Sequence, residues 1–242
     1  MFYFLAAPIM TYNFILIAAA VIPAIFLMIK VYKSDRLEKE SAHLLWTLVK
    51  AGILSALLAL VEEKVLSFLL NSFVDVNSAA YNIILYFVIV AGAEESSKYL
   101  FLKKNSWRSV EFNCQYDGVV YAVFVSLGFA LWENISYVLS YGFATAVVRA
   151  VTAIPGHACF GVFMGVFYGI AKRMEKQGNR ISSKAFRVLA VIVPMLLHGT
   201  YDYIATSEQQ QGGWYFTVFV IALFIISYIL VNSNAKKDKY IG

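Results

Sequence analysis

The chain has 242 residues, of which 60% are hydrophobic and 14% charged, with a net charge of +5. So apolar a composition excludes an ordinary soluble domain, which is nearer half apolar. The basic residues fall in four separate segments with no single patch, which excludes a nucleic-acid interface.

Seven windows are long and apolar enough to span a bilayer, at about 20 residues per helix. They run over 11–31, 43–66, 80–102, 118–140, 146–171, 187–206 and 214–233. The expected fold is an all-α, polytopic transmembrane helix bundle of about seven spans, forming one membrane-embedded domain over residues 1–242. The first window follows MFYFLAAPIM, which has no basic n-region, and is too long for a signal-peptide core. It reads as an uncleaved span. Cys114 and Cys159 have no metal-type spacing.

Lysine and arginine alternate between connections. Lys30, Lys33, Arg36 and Lys39 follow window one, and Lys103, Lys104 and Arg108 follow window three. Lys172, Arg173, Lys176, Arg180, Lys184 and Arg187 lie between windows five and six, and Lys236, Lys237 and Lys239 close the chain. The other side has only Lys64 and Arg149. The positive-inside rule puts the C-terminus in the cytoplasm and the N-terminus outside.

Ionisable residues inside spans are costly and mark function. Window three carries Glu94, Glu95 and Lys98. Two adjacent carboxylates with one lysine leave excess negative charge, the setting in which a glutamate is tuned to take a proton. Window four carries Glu133 one turn after Phe129 and beside Asn134. Window five carries His157, followed at four-residue steps by Gly161, Gly165 and Gly169. Small residues so spaced admit a neighbouring helix, so His157 points into the bundle. Window six carries His198 and Asp202, one turn apart on one face. Glu62, Glu63 and Lys64 read as an interfacial group, and Arg149 as a lipid-headgroup or substrate anchor at the outer mouth.

At 1.5 Å per residue, Glu94 lies ~14 Å from Lys103, and Glu133 ~21 Å, His157 ~22 Å, His198 ~16 Å and Asp202 ~22 Å from the cytoplasmic ends of their spans. These depths converge on one layer, from mid-membrane to the outer half. An acid–histidine layer of this kind serves either hydrolysis or an ion- or proton-coupled transporter. No internal repeat supports the transporter.

The motifs EESSK, FALWE and HGTYD, with the histidine of GHACFG between them, occur in the order EExxK, FxxxE, HxxxD. In this the chain resembles the PrsW family of intramembrane proteases, as do YDGVVYAVFVSLGFALWENISY and VPMLLHGTYDYI. The likeness extends from around Pro23 to the basic tail. The family is distantly similar to the CAAX-prenyl endopeptidase superfamily, from which Glu133 departs by standing where that group usually has histidine. The resemblance implies an endopeptidase of the bacterial cytoplasmic membrane. It implies a single-pass membrane protein such as an anti-sigma factor as substrate, first cut near the extracellular side.

No serine or cysteine is paired with a base, so direct attack by water is expected. Glu94 is the expected base, shaped by Glu95 and Lys98, with His157 and His198 binding metal or stabilising the oxyanion. Glu133 and Asp202 are further ligands or orienters. Glu95, Glu133, His157, His198 and Asp202 could bind a divalent metal such as Zn2+. A metal-free, glutamate-activated water is the alternative.

Overall fold

The structure, a computed structural model, describes residues 2–207 and 213–241. Its elements are α1 (Phe2–Ser34), α2 (Ala42–Phe73), α3 (Ala79–Ile83), a π-helical segment (Ile84–Val90), α4 (Ala91–Ser106), α5 (Asp117–Tyr141), α6 (Phe143–Val151), α7 (Ala153–Lys176), α8 (Arg180–Ser207) and α9 (Trp214–Lys236). Strands are absent among the described residues, and one isolated bridge pairs Cys114 with Tyr240. The fold is the expected all-α bundle.

Among the described residues, six helical stretches are long and apolar enough to cross a membrane. They match six of the seven expected windows. The remaining one, window three, is built as α3, the π segment and α4 in continuous succession. It falls short as a single apolar helix because the π turns divide it and because α4 carries Glu94, Glu95 and Lys98. Window five is also divided: Thr152 breaks the helix between α6 and α7 with φ −118° and ψ −67°.

Burial separates the helices into an inner and an outer set. In the apolar window of α5, 78% of residues are buried, against 22% in α8 and in α9. α5 is therefore the core, with α7, α2 and α1 packed around it. The outer faces of α1, α8 and α9 keep large apolar side chains such as Phe26, Ile192 and Ile225 exposed, as lipid-facing helices do.

Between membrane helices, association rests on van der Waals contact and close backbone approach. The glycine ridge of α7 shows this directly. A Cβ placed on Gly165 would lie 2.5 Å from the Gly118 carbonyl oxygen of α5, and Gly161 and Gly169 abut the same helix. The ridge thus faces α5, and His157 continues it inward. Gly165→Ala should therefore lower the melting temperature in detergent, at a cost of about 1–3 kcal/mol for overpacking. Gly156→Ala, whose Cβ would meet nothing nearer than 3.6 Å, should change it little. Equal melting temperatures for the two variants would contradict this packing.

The connections at the basic end are folded. Ser41 caps α2 by accepting from the Leu44 N–H, and Glu111 accepts from both the Ser41 N–H and its hydroxyl. The tail returns to the α4–α5 connection, where the Gln115 N–H donates to the Lys239 carbonyl and the Ile241 N–H to that of Asn113.

Candidate active site

Four helices deliver the polar residues to one place. Glu94, Glu95 and Lys98 come from α4, Phe129, Glu133 and Asn134 from α5, His157 from α7, and His198 and Asp202 from α8. Measured as helix rise, Glu133 lies ~24 Å from the start of α5 and His198 ~27 Å from the start of α8, both at the basic end.

Lys98 is the hub. It is fully buried, and its ammonium donates to Glu94 Oε2 at 3.0 Å, Glu95 Oε1 at 2.7 Å and His157 Nδ1 at 3.1 Å. The helix makes this possible, since Glu94 and Glu95 precede Lys98 by four and three residues and so share its face. The ammonium also sits 4.0 Å from the Phe129 ring centroid, over the ring that begins the FALWE motif.

An ammonium can only donate, so His157 Nδ1 accepts and the ring proton lies on Nε2. That Nε2–H donates to Glu133 Oε2 at 2.7 Å. The other oxygen of Glu133 pairs with Arg149 Nη2 at 3.0 Å. Arg149 in turn donates from Nε to Asn134 Oδ1 at 2.6 Å and stacks over Tyr137. Arg149 is thus engaged inside the protein, which corrects its reading as a lipid anchor. The physical reason is the break at Thr152, which turns α6 so that Arg149 reaches α5.

His198 has the opposite polarity. Its Nδ1 lies 2.9 Å from Glu95 Oε1, the arrangement of a carboxylate that orients a histidine. The ring is thus held between two carboxylates, Glu95 on Nδ1 and Asp202 Oδ2 3.4 Å from Nε2, and a metal ion would take the place of a proton on Nε2. Phe160 stacks on the His198 ring at 4.7 Å and 19°. Gly199 permits the approach of α8 to the π segment, because a Cβ there would lie 2.6 Å from Phe87 Cδ1 and 2.9 Å from its Cα.

A cavity of about 460 Å³ opens beside this cluster, with Glu63, Glu94, Glu133, His157, His198 and Asp202 in its wall. Glu95 and Lys98 are not in the wall; they form the floor behind it. The nine residues singled out in the sequence all belong to the cluster or its wall. Glu63, which reads as interfacial in the sequence, faces the cavity. The sequence held a signal for it: Gly52, Ala56 and Ala59 form a stripe of small residues on α2 that runs into Glu63. Its neighbour Glu62 accepts from the Ser97 hydroxyl of α4 at 3.0 Å. Cys159 packs with Phe160 and Leu223 outside the cavity wall, which rules out a cysteine–histidine pair here.

The donor set suits a metal ion. It combines imidazole with carboxylates, and Glu94, Glu95 and His157 each place a ligand atom within 4.8 Å of the others. Glu95 Oε2 is buried with no hydrogen-bond partner, and the carboxylates around the cavity outnumber Lys98 and Arg149. The ring centroids of His157 and His198 are 5.4 Å apart.

Comparison with known proteins agrees with this chemistry. A family model described as PrsW family intramembrane metalloprotease matches residues 40–230. Protease PrsW of Halalkalibacterium halodurans is 33% identical over 226 residues, covering 93% of this chain and 100% of the relative. Protease PrsW of Clostridioides difficile is 32% identical, covering 86% of each chain. Protease PrsW of Bacillus subtilis is 31% identical, covering 88% of this chain and 91% of the relative. No solved structure matches. The apolar spans and these relatives make the chain a multi-pass bacterial membrane protein and a peptidase. It belongs to the PrsW family of intramembrane metalloproteases.

Proposed function

We propose that the chain hydrolyses a peptide bond in a single-pass membrane protein, such as an anti-sigma factor, with Glu94 as the base that takes a proton from the attacking water. The observation that carries this is the division of labour within the EE pair. Glu94 faces the cavity, whereas Glu95 is fully buried and tied to Lys98 and His198. Proton transfer requires contact with the reacting water, which Glu94, and not Glu95, has the position to make.

The remaining residues then take distinct roles. Lys98 holds Glu94 in place and balances part of its charge. His157 lies in the cavity wall with its Nε2–H on Glu133, which Arg149 holds in turn, and a shift of Glu133 on substrate binding would free that N–H to donate to the developing oxyanion. His198 through Nε2 and Asp202 are the residues that would hold a Zn2+-class ion, joined by Glu133 on the opposite wall. The chemistry such an ion supplies is a water acidified to a pKa of about 7 and a polarised carbonyl. Glu95 fixes the His198 tautomer from behind.

The position of the cavity supports cleavage near the outer surface, with the N-terminus outside and the C-terminus cytoplasmic. Its wall includes Tyr137 and Thr206, which lie toward the ends of α5 and α8 remote from the basic connections. The test is a single-pass reporter carrying the juxtamembrane segment of a candidate anti-sigma factor, incubated with purified chain. Cleavage should stop after stringent chelation and return with Zn2+. Cleavage that persists in protein shown to be metal-free would overturn the metal's role. An intact reporter across authentic candidates, with metal-loaded wild type, would overturn the substrate class.

A further inference from the structure

We propose that Asp35, Glu40 and Asp117 form a second cation site, for a hard divalent ion of the Ca2+ or Mg2+ class, at the basic end of the bundle. It would fasten the α1–α2 connection to the start of α5.

The three carboxylates come from separate parts of the fold. Asp35 follows the last residue of α1, Glu40 lies just before α2, and Asp117 opens α5. Each offers one oxygen, and these oxygens lie within 4.8 Å of one another. All three are buried: Asp35 and Glu40 are 4% exposed and Asp117 is 0% exposed.

Their hydrogen bonding shows the direction of the vacant valences. Asp117 Oδ2 accepts from the N–H groups of Asn113 and Cys114, while Oδ1 is buried without a partner. Glu40 Oε2 accepts from the Tyr121 hydroxyl at 2.6 Å, while Oε1 is buried without a partner. Asp35 has both side-chain oxygens buried without a partner. Thus one oxygen of Glu40 and one of Asp117 are held by protein donors, and the others meet no donor. Leaving buried acceptors without a donor costs free energy, more for charged groups.

Among the described residues, no basic side chain is ion-paired with the trio, and Lys39 acts on Asp35 only through space. The nearby Lys39 ammonium donates instead to the main-chain oxygens of Tyr32 and Asp35, at 2.7 and 2.5 Å. No ion pair to Asp35, Glu40 or Asp117 occurs among the described residues. A proton shared between Glu40 and Asp117 would satisfy that pair but not Asp35, whose oxygens approach only the backbone N–H groups of Arg36 and Leu37.

An all-oxygen, all-carboxylate set selects hard cations over zinc. Oxygens bound to Ca2+ at 2.3–2.6 Å can be up to about 5 Å apart, whereas those on Mg2+ at 2.0–2.1 Å reach only about 4 Å. Ca2+ also accepts irregular carboxylate cages, whereas Mg2+ demands near-octahedral geometry and dehydrates reluctantly, so Ca2+ is the better fit.

The experiment is thermal unfolding of the purified full chain in detergent, titrated with CaCl2 or MgCl2 after chelation. The expected result is a saturable rise in melting temperature, with Ca2+ acting at lower concentration, and one ion bound per chain by calorimetry. Asp35→Asn and Glu40→Gln should lose that rise, while Glu175→Gln, an equal charge change elsewhere at the basic end, should keep it. Glu94→Gln should also keep it, which separates this site from the cavity. No cation-dependent rise in wild type would overturn the proposal, as would a rise that survives in Asp35→Asn and Glu40→Gln. A rise lost in Glu94→Gln would place the ion in the cavity and overturn it too. Should the two trio variants fail to fold, wild-type calorimetry decides: no bound Ca2+ or Mg2+ rejects the site.

Discussion

Glu94→Gln should reduce cleavage of a single-pass reporter by about 10²–10⁴-fold, the usual contribution of a positioned general base. The substitution keeps the volume of the side chain and an oxygen that can still accept from Lys98. It removes the capacity to take a proton and one of the two charges facing Lys98, whose ammonium Glu95 still balances. The melting temperature should therefore fall less than in a variant of Glu95. Glu95→Gln should differ in kind. Glu95 Oε1 accepts from Lys98 and also engages His198, so losing its charge weakens the floor of the site and lowers the melting temperature. Rates measured on folded protein, matched by thermal unfolding, distinguish the two. A Glu94→Gln enzyme that retains a tenth or more of wild-type activity would remove Glu94 as the base.

Lys98→Met should be among the most destabilising single substitutions in the bundle. The ammonium is fully buried and compensates two carboxylates at 3.0 and 2.7 Å. Removing one partner of a buried ionic group costs about 3–5 kcal/mol, because the remaining charge loses its compensation. For a chain of this size that corresponds to a fall of about 10 °C in melting temperature. Adding Glu95→Gln should recover part of the loss, since it removes one of the stranded charges. The double-mutant cycle should show a coupling well outside additivity. Lys98→Met protein that unfolds at the wild-type temperature would refute the hub.

Much of the site is legible in the sequence because helical spacing is local. Glu94, Glu95 and Lys98 must share a face at steps of three and four, and so must His198 and Asp202. The glycine ridge gave His157 its direction for a similar reason. Membership of a peptidase family sets aside the transporter reading of the same acids and histidines.

Other features depend on tertiary structure. Glu63 sits in VEEKV, which resembles a solvated interface, and only the packing of α2 turns it to the cavity. Arg149 meets Glu133 only because the chain breaks at Thr152. Asp35 and Glu40 look like ordinary loop charges until the returning tail and the α4–α5 connection cover that end of the bundle. Hydropathy is also blind to the π turns within window three, which alter hydrogen-bond register without altering composition.

That π segment, Ile84–Val90, ends four residues before Glu94. A π turn takes in more residues than an α turn and is commonly found at functional sites. Along a helix, each residue adds about 100° of rotation. The direction of Glu94 and Glu95 is therefore governed by how many residues lie upstream, as much as by their own chemistry. The widened turns act as an angular spacer, aiming one carboxylate at the cavity and its neighbour at the floor. A regular α-helix of the same sequence would carry the same two glutamates on a different bearing, with the motif intact and its geometry lost.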